Sequence, residues 1–250
     1  MFTIITDESA DHHINLGVRK LPFKIILEGR EVRMSAEEVC KHIQRGKVLT
    51  TSQIPPKVFL EVFKKAEEPI MCITIARTLS GTYTSARIAA RMSGKEVVVI
   101  DSGTISLGLG LLVEKAVELR KEGKDFDRAV AEIENYKRRI KIYFTLRNLT
   151  YLARSGRVSG VFAGLGNFLG INPIMELYMG EARRVKIVRG FERAAQELLK
   201  FATGKKALIG YVCAKDIGER LAKSIGTKAI ELCPVIACHT GPAVAVGVVE

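Results

Sequence analysis

The sequence predicts an α/β chain in two domains. Residues 1–146 read as a mostly parallel, three-layer α/β/α domain with a small hairpin insertion near 21–34, and residues 147–250 as an α+β domain with a largely antiparallel sheet that closes over a ligand. Three observations carry this prediction. Short apolar runs at 2–6, 70–76 and 96–101 end in polar or acidic residues and alternate with amphipathic helical stretches, the pattern of a buried parallel sheet with helices on both faces. Beyond residue 146 the pattern becomes a hairpin followed by spaced strands and helices, which suits an antiparallel sheet. The chain has 250 residues, 47% hydrophobic and 26% charged, enough for a sizeable core in one large or two modest domains.

The first run is followed by Asp7, Glu8 and Ser9, polar acceptors at the strand edge where open α/β sheets bind ligands. Residues 23–27 and 31–33 flank Glu28, Gly29 and Arg30 and read as a small hairpin with glycine in its turn. Ser35 and Glu38 form a capping box for a helix that reaches about Arg45, before Gly46. Thr50, Thr51, Ser52 and Gln53 then precede Pro55 and Pro56. So polar a run suits no core position, and Pro56 suits the first turn of a helix carrying Val58, Phe59, Val62 and Phe63. The run reads either as a capped helix start or as a polar claw for a ligand.

Residues 70–76 are almost continuously apolar, as in a strand buried on both faces. Arg77, Thr78, Leu79, Ser80, Gly81 and Thr82 fill the next turn, and Ala86, Ala89 and Ala90 give the following helix an apolar face. The turn gathers backbone N–H groups and hydroxyls at one spot that favours an anion. Capping of the helix by Ser80 or Thr82 accounts for the same hydroxyls. The strand at 96–101 ends in Asp101 as the first ends in Asp7. The helix at 107–121 holds Gly108 and Gly110, which lack the third glycine of a dinucleotide fingerprint and are expected to let helix and sheet approach closely. A helix over 126–138 and a strand over 140–145 complete the first domain.

Arg154, Gly156, Arg157 and Gly160 then mark a basic, glycine-punctuated turn, and 161–169 is rich in glycine and small residues, so that a backbone or an apolar ligand can approach closely; with the sheet faces, this segment is the expected lining of a slot for an apolar ligand. Residues 171–178 and 182–188 form a hairpin around Met179, Gly180 and Glu181, and Arg189 and Gly190 open a helix through Phe201. Strands are expected at 206–213, 227–236 and 243–249, with a helix over 215–225. Cys238, His239, Thr240, Gly241 and Pro242 make a turn before the last strand. There His239 is placed to donate to an anion or to act as a base.

Composition narrows the function classes. The formal net charge of +12 draws polyanions, but the Lys and Arg residues are spread over many helices and no basic motif is interleaved with aromatics. A solvated basic surface is the expectation, with no nucleic-acid partner and transient contact with an anionic membrane surface as the minority reading. The five cysteines, Cys40, Cys72, Cys213, Cys233 and Cys238, are odd in number and lie mostly in apolar runs, as reduced core thiols do. Cys233, Cys238 and His239 make a poor zinc pattern, so no metal is expected. The first ten residues lack a basic region ahead of an apolar stretch, and no apolar run reaches membrane-spanning length. A soluble, cytoplasmic protein is expected.

The chain resembles the DegV family, the bacterial fatty-acid-binding proteins whose better understood members are the FakB-type subunits of fatty acid kinase. The resemblance rests on Thr6 and Asp7, LPFKIILEGRE at 21–31, TTSQ at 50–53, LSGTY at 79–83, Asp101 and Ser102 with the helix after them, YLARSGRVS at 151–159, Asn172 and Pro173, and HTGP at 239–242. These span the chain in the family's order. The resemblance implies a long-chain fatty acid held between two domains, with no other cofactor and no catalysis by the chain alone. By the same resemblance, Thr51 and Ser80 hold the carboxylate, Gly81 and Thr82 complete their turn, and His239 stands beside it. Arg157 and Arg189 match basic residues that face the head group or an acyl phosphate, and a separate fatty acid kinase catalytic subunit is the implied partner. TDES stands where the family has TDS, the acidic residue expected soon after LEGRE is missing, and HTGPA replaces HTGPG.

The alternative from the residues is a serine hydrolase acting on an acyl ester through Ser80, His239 and either Asp7 or Asp101. Thr78 stands where a nucleophile elbow needs glycine, which weighs against it.

Overall fold

The computed structural model describes residues 1–157 and 170–250. The first part of the chain runs β1 (Thr3–Asp7), β2 (Arg19–Leu21), β3 (Lys24–Leu27), β4 (Arg30–Val32), α1 (Ala36–Gln44), β5 (Leu49–Ser52), α2 (Pro56–Lys65), β6 (Ile70–Thr74), α3 (Thr82–Ser93), β7 (Val97–Asp101), α4 (Ser106–Lys121) and α5 (Phe126–Tyr136). Strands β2-β1-β6-β7 form an all-parallel sheet in that order. Alternation along its strands assigns each face. Ile5, Ile70 and Cys72 cluster with Phe59, Phe63, Ala86 and Ala89 of α2 and α3, whereas Ile4, Met71 and Ile73 belong to the cluster that holds Leu109 and Leu112 of α4. This period of two against helices on both sides is the three-layer arrangement expected.

The hairpin insertion is present as β3 and β4, and β5 joins it to make a small antiparallel sheet, β4-β3-β5. The 50–53 run is therefore mostly strand, not a helix start. Pairing of Ile25 with Thr51 makes β5 a platform for hydroxyls.

The rest of the chain runs β8 (Ile140–Leu146), α6 (Leu149–Ser155), β9 (Ile171–Tyr178), β10 (Glu181–Arg189), α7 (Phe191–Glu197), α8 (Leu199–Ala202), β11 (Lys206–Val212), α9 (Lys215–Ser224), β12 (Ala229–Glu231), α10 (Pro234–Thr240) and β13 (Ala243–Val249). Its sheet has the order β10-β9-β8-β13-β11-β12, antiparallel except for the β11–β12 pair. The expected boundary after residue 146 moves forward. Strand β8 pairs with β13 and β9 in the second sheet, so the change of sheet comes before Ile140. The expected strand at 227–236 also ends early, because Pro234 begins α10, its fixed φ suiting a first helical turn.

Helix α4 is the layer shared by both sheets, packing on β1 and β6 and on β8, β11 and β13. Its glycines allow close approach, Gly108 to Ile140 and Ile142 of β8 and Gly110 to the loop after β1. A Cβ on Gly110 would stand 2.0 Å from the Asp11 carbonyl, and one on Gly108 would stand 2.2 Å from Thr104 Oγ1. Two of the five cysteines are not free thiols: Cys40 of α1 is joined to Cys213, just after β11. Cysteine usage therefore does not argue for a reducing compartment. Among the described residues no helix is long and apolar enough to cross a membrane.

Candidate functional site

Parallel strands place their carboxyl ends along one edge, and here that edge faces the second sheet. The loops at the edge are built by two carboxylates. Asp7, fully buried, accepts the Ile75 N–H at 2.7 Å and the Ser9 N–H at 3.1 Å. Burial pushes its carboxyl up, and the bonds from Ser9 and Ile75 oppose that shift. Asp101 accepts the N–H groups of Arg77 and Gly103, each at 3.1 Å. Both residues thus hold the loops that shape the site.

The loop after β6 turns back where Leu79 and Ser80 donate to the Ala76 carbonyl. Ser80 Oγ then accepts the Thr82 N–H at 3.2 Å and lies 2.9 Å from Thr82 Oγ1; the N-cap of α3 is Gly81, with no side-chain cap bond, so Ser80 braces the turn and its hydroxyl lines a cavity. Thr82 is buried behind it and does not line that cavity. Gly81 packs directly against Gln53, and a Cβ there would fall 1.9 Å from Gln53 Oε1 and turn that side chain aside. Gln53, whose Nε2 donates to Ser85 Oγ at 3.0 Å, lines the cavity beside Gly81. It was legible only as part of the polar run at 50–53.

The second wall is α10. Val235, Ile236, His239 and Thr240 line the cavity at the spacing of one helical face, and Leu232, just before the helix, lines it as well. His239 sits in the last turn of this helix, not in a free turn. Its Nε2 lies 2.8 Å from Thr51 Oγ1, across the junction of the two domains. Burial, and then the positive charge of Arg157, lower the imidazole to about 4. His239 is therefore neutral near pH 7. With the proton on Nε2 it donates to Thr51, leaving the threonine hydroxyl free to donate to an anion. Arg157 follows the αL cap Gly156, anchors Nη1 to the Ser155 carbonyl at 2.7 Å and lines the cavity.

Thr51, Ser80, Gly81, His239 and Arg157 are therefore brought to one cavity. Arg189 is not. It ends β10 opposite Ile171, exposed, and is absent from the cavity wall among the described residues. The slot expected at 161–169 lies outside the described residues. Among the described residues, apolar lining comes from the second sheet through Ile142, Phe144, Leu146, Leu177, Ala243 and Ala245. The cavity measures about 360 Å³, within the range of small-molecule sites.

The arrangement offers hydroxyl, amide and guanidinium donors at one part and hydrocarbon at another, which suits an amphipathic anion. It does not form a nucleophilic relay among the described residues. Ser80 is bonded to Thr82, His239 to Thr51, and the carboxylates of Asp7 and Asp101 to loop N–H groups. No group of three or more His, Cys, Asp or Glu side chains able to hold a metal occurs among the described residues.

Known proteins of similar sequence and fold identify the family. A DegV domain-containing protein of Deinococcus radiodurans is 33% identical over 207 residues, covering 78% of this chain and 74% of its own. One from Clostridium acetobutylicum is 35% identical over 209 residues, covering 78% and 75%. Among solved structures, a fatty-acid-binding DegV family protein from Thermus thermophilus superposes with a TM-score of 0.89 at 30% identity, covering 100% of this chain and 99% of that one. A stearic acid-binding protein from Eubacterium ventriosum, at 22% identity and a TM-score of 0.91 over 100% and 98% of the two chains, shares the fold. The sequence profile described as "uncharacterised protein, DegV family" matches residues 1–250. By fold, site motifs and whole-length match, this chain belongs to the DegV family.

Proposed function

We propose that this protein binds a long-chain fatty acid between its two domains and presents the carboxylate to a separate kinase subunit, which converts it to an acyl phosphate. One observation carries the reading: a single cavity joins the donors Thr51, Ser80, Gln53 and Arg157 to an apolar wall from the second sheet. A carboxylate takes the donors and an alkyl chain takes the wall. Each buried methylene is worth about 0.8 kcal/mol, so a long tail supplies roughly 10 kcal/mol before the loss of translational and rotational freedom. The tail gives affinity and the polar cluster gives orientation.

The family likeness to the Thermus thermophilus protein, whose description names fatty acid binding, supports the same reading. A kinase partner draws on the cytoplasmic nucleotide pool, so a cytoplasmic place of action belongs to it, as does brief contact of the basic surface with anionic membranes that hold the ligand.

Organic extraction of the purified protein followed by mass spectrometry tests the binding. A stoichiometric long-chain fatty acid is the expected result, and a protein that neither carries nor takes up any fatty acid overturns the proposal. The presentation step is tested separately by adding kinase subunit and nucleotide, and trapping acyl phosphate with hydroxylamine as the hydroxamate.

A further inference from the structure

The second sheet carries two glycines on the side that faces α4 and α10. Gly210 of β11 pairs with Ala245, and Gly247 of β13 with Leu208. Ala243, Ala245 and Gly247 follow one another on the same face of β13, and the first two line the cavity. At Gly247 and Gly210 the strands themselves put no side chain on that face, although Ile142 and Leu208 flank Gly247.

Two leucines fill this trough. A Cβ on Gly247 would stand 2.7 Å from Leu107 Cβ, and one on Gly210 would stand 2.3 Å from Leu232 Cδ2 and 3.1 Å from Leu107 Cδ2. Leu107 is part of the fully buried core, whereas Leu232, 3% exposed to solvent, has one side on the cavity. Its backbone is pinned by donation to the Tyr211 carbonyl at 2.9 Å. Leu232 lies just before α10, which begins at Pro234 and carries His239 in its last turn, so the residue lines the cavity beyond the opposite end of that helix from the polar cluster.

We infer that Leu232, seated on Gly210, is a size-selecting residue that decides how much acyl chain the cavity accepts. The inference rests on the fatty-acid reading above. Shortening Leu232 exposes the space above Gly210 to the ligand. Adding a methyl group to Gly210 lifts Leu232, and with Leu107 filling the other side, the cavity is the volume into which it moves. The two changes act on one contact from opposite sides, and so they shift chain preference in opposite directions.

The test uses the full chain as wild type, Leu232→Ala, the milder Leu232→Val, and Gly210→Ala. Each is equilibrated with an equimolar mixture of saturated acids from tetradecanoic to eicosanoic, and the bound acids are extracted and quantified by mass spectrometry. A methylene gained or lost in an apolar site changes affinity about fourfold. The eicosanoic to hexadecanoic ratio should rise about tenfold in Leu232→Ala, rise less in Leu232→Val, and fall in Gly210→Ala. If Leu232→Ala does not fold, the other two variants decide. An unchanged ratio in folded Leu232→Val and Gly210→Ala, or a shift of both in one direction, overturns the inference while leaving fatty-acid binding intact. A wild type that takes up none of the acids overturns the proposed function, and this inference with it.

Discussion

The two sheets serve the cavity in different ways: the parallel sheet offers its ends and the antiparallel sheet offers a face. Every residue of β6 is buried, because helices cover both sides of that sheet and leave no room for a ligand against it. Its chemistry is confined to the loops beyond the strands, where Ser80 and Gly81 project from a turn braced by Asp7 and Asp101. In the second sheet Ala243 and Ala245 are small, so the strand face itself retreats and becomes a wall. The contrast teaches how a site divides its labour. Directional, short-range bonds come from loops that can be shaped residue by residue, while affinity proportional to area comes from a flat apolar surface.

The largest effect should come from filling the face. Ala245→Phe places a ring in the trough, and fatty-acid affinity measured by competition should fall roughly hundredfold, the worth of three to four methylenes. Undiminished affinity in a folded variant would mean that the tail lies elsewhere. Removing a loop donor should cost less. Ser80→Ala and Thr51→Val should each weaken binding about tenfold, equivalent to ~1–2 kcal/mol for a bond to a charged acceptor, with little change in chain-length preference. A change in preference without a loss of affinity would reverse the assignment of the two regions.

The pH dependence sharpens the contrast further. The free protein holds His239 at about 4 against an ordinary 6.5. Above pH 6.5 the residue is neutral in both folded and unfolded states. Between 6.5 and 4 only the unfolded chain takes up the proton, so stability is lost as pH falls through that window. Melting temperatures of wild type and His239→Gln should diverge below pH 6.5, the wild type losing more. Parallel pH profiles would contradict a buried neutral imidazole. The smallest effect is expected at the β9–β10 tip, where Thr78 Oγ1 donates to the Gly180 carbonyl at 2.7 Å. Thr78→Val should lower stability by ~1 kcal/mol, about 2–4 °C in a chain of this size, seen by calorimetry.

The polar half of the site was legible because it violates local rules. Hydroxyls and an amide in a row at 50–53, a Ser-Gly-Thr turn after an apolar strand, and a histidine before Gly-Pro have no use in a core. What was hidden is settled over long distances. The run at 140–146 has the same apolar character as a parallel strand, and only pairing of Ile140 with Val249 and Leu146 with Ala243 assigns it to the other sheet. Arg189 shares its basic character with Arg157, but β10 carries it to an exposed strand end. The Cys40–Cys213 link joins residues separated by 173 positions, and no spacing rule connects them. Helix α10 was masked because Ala229–Glu231 is a true strand and the apolar residues after it do not reveal that Pro234 has changed the period.

That link also fastens the junction at one end of the second sheet. Cys213 follows β11 where Val212 pairs with Ala243, whereas the Thr78–Gly180 contact lies beyond Tyr178, at the opposite end of the strands. Between them stand the Thr51–His239 contact and the bond from the Cys233 N–H to Asp11. The two domains are thus laced along the whole junction, and the disulfide is the one covalent stitch in a seam otherwise held by hydrogen bonds and packing on α4.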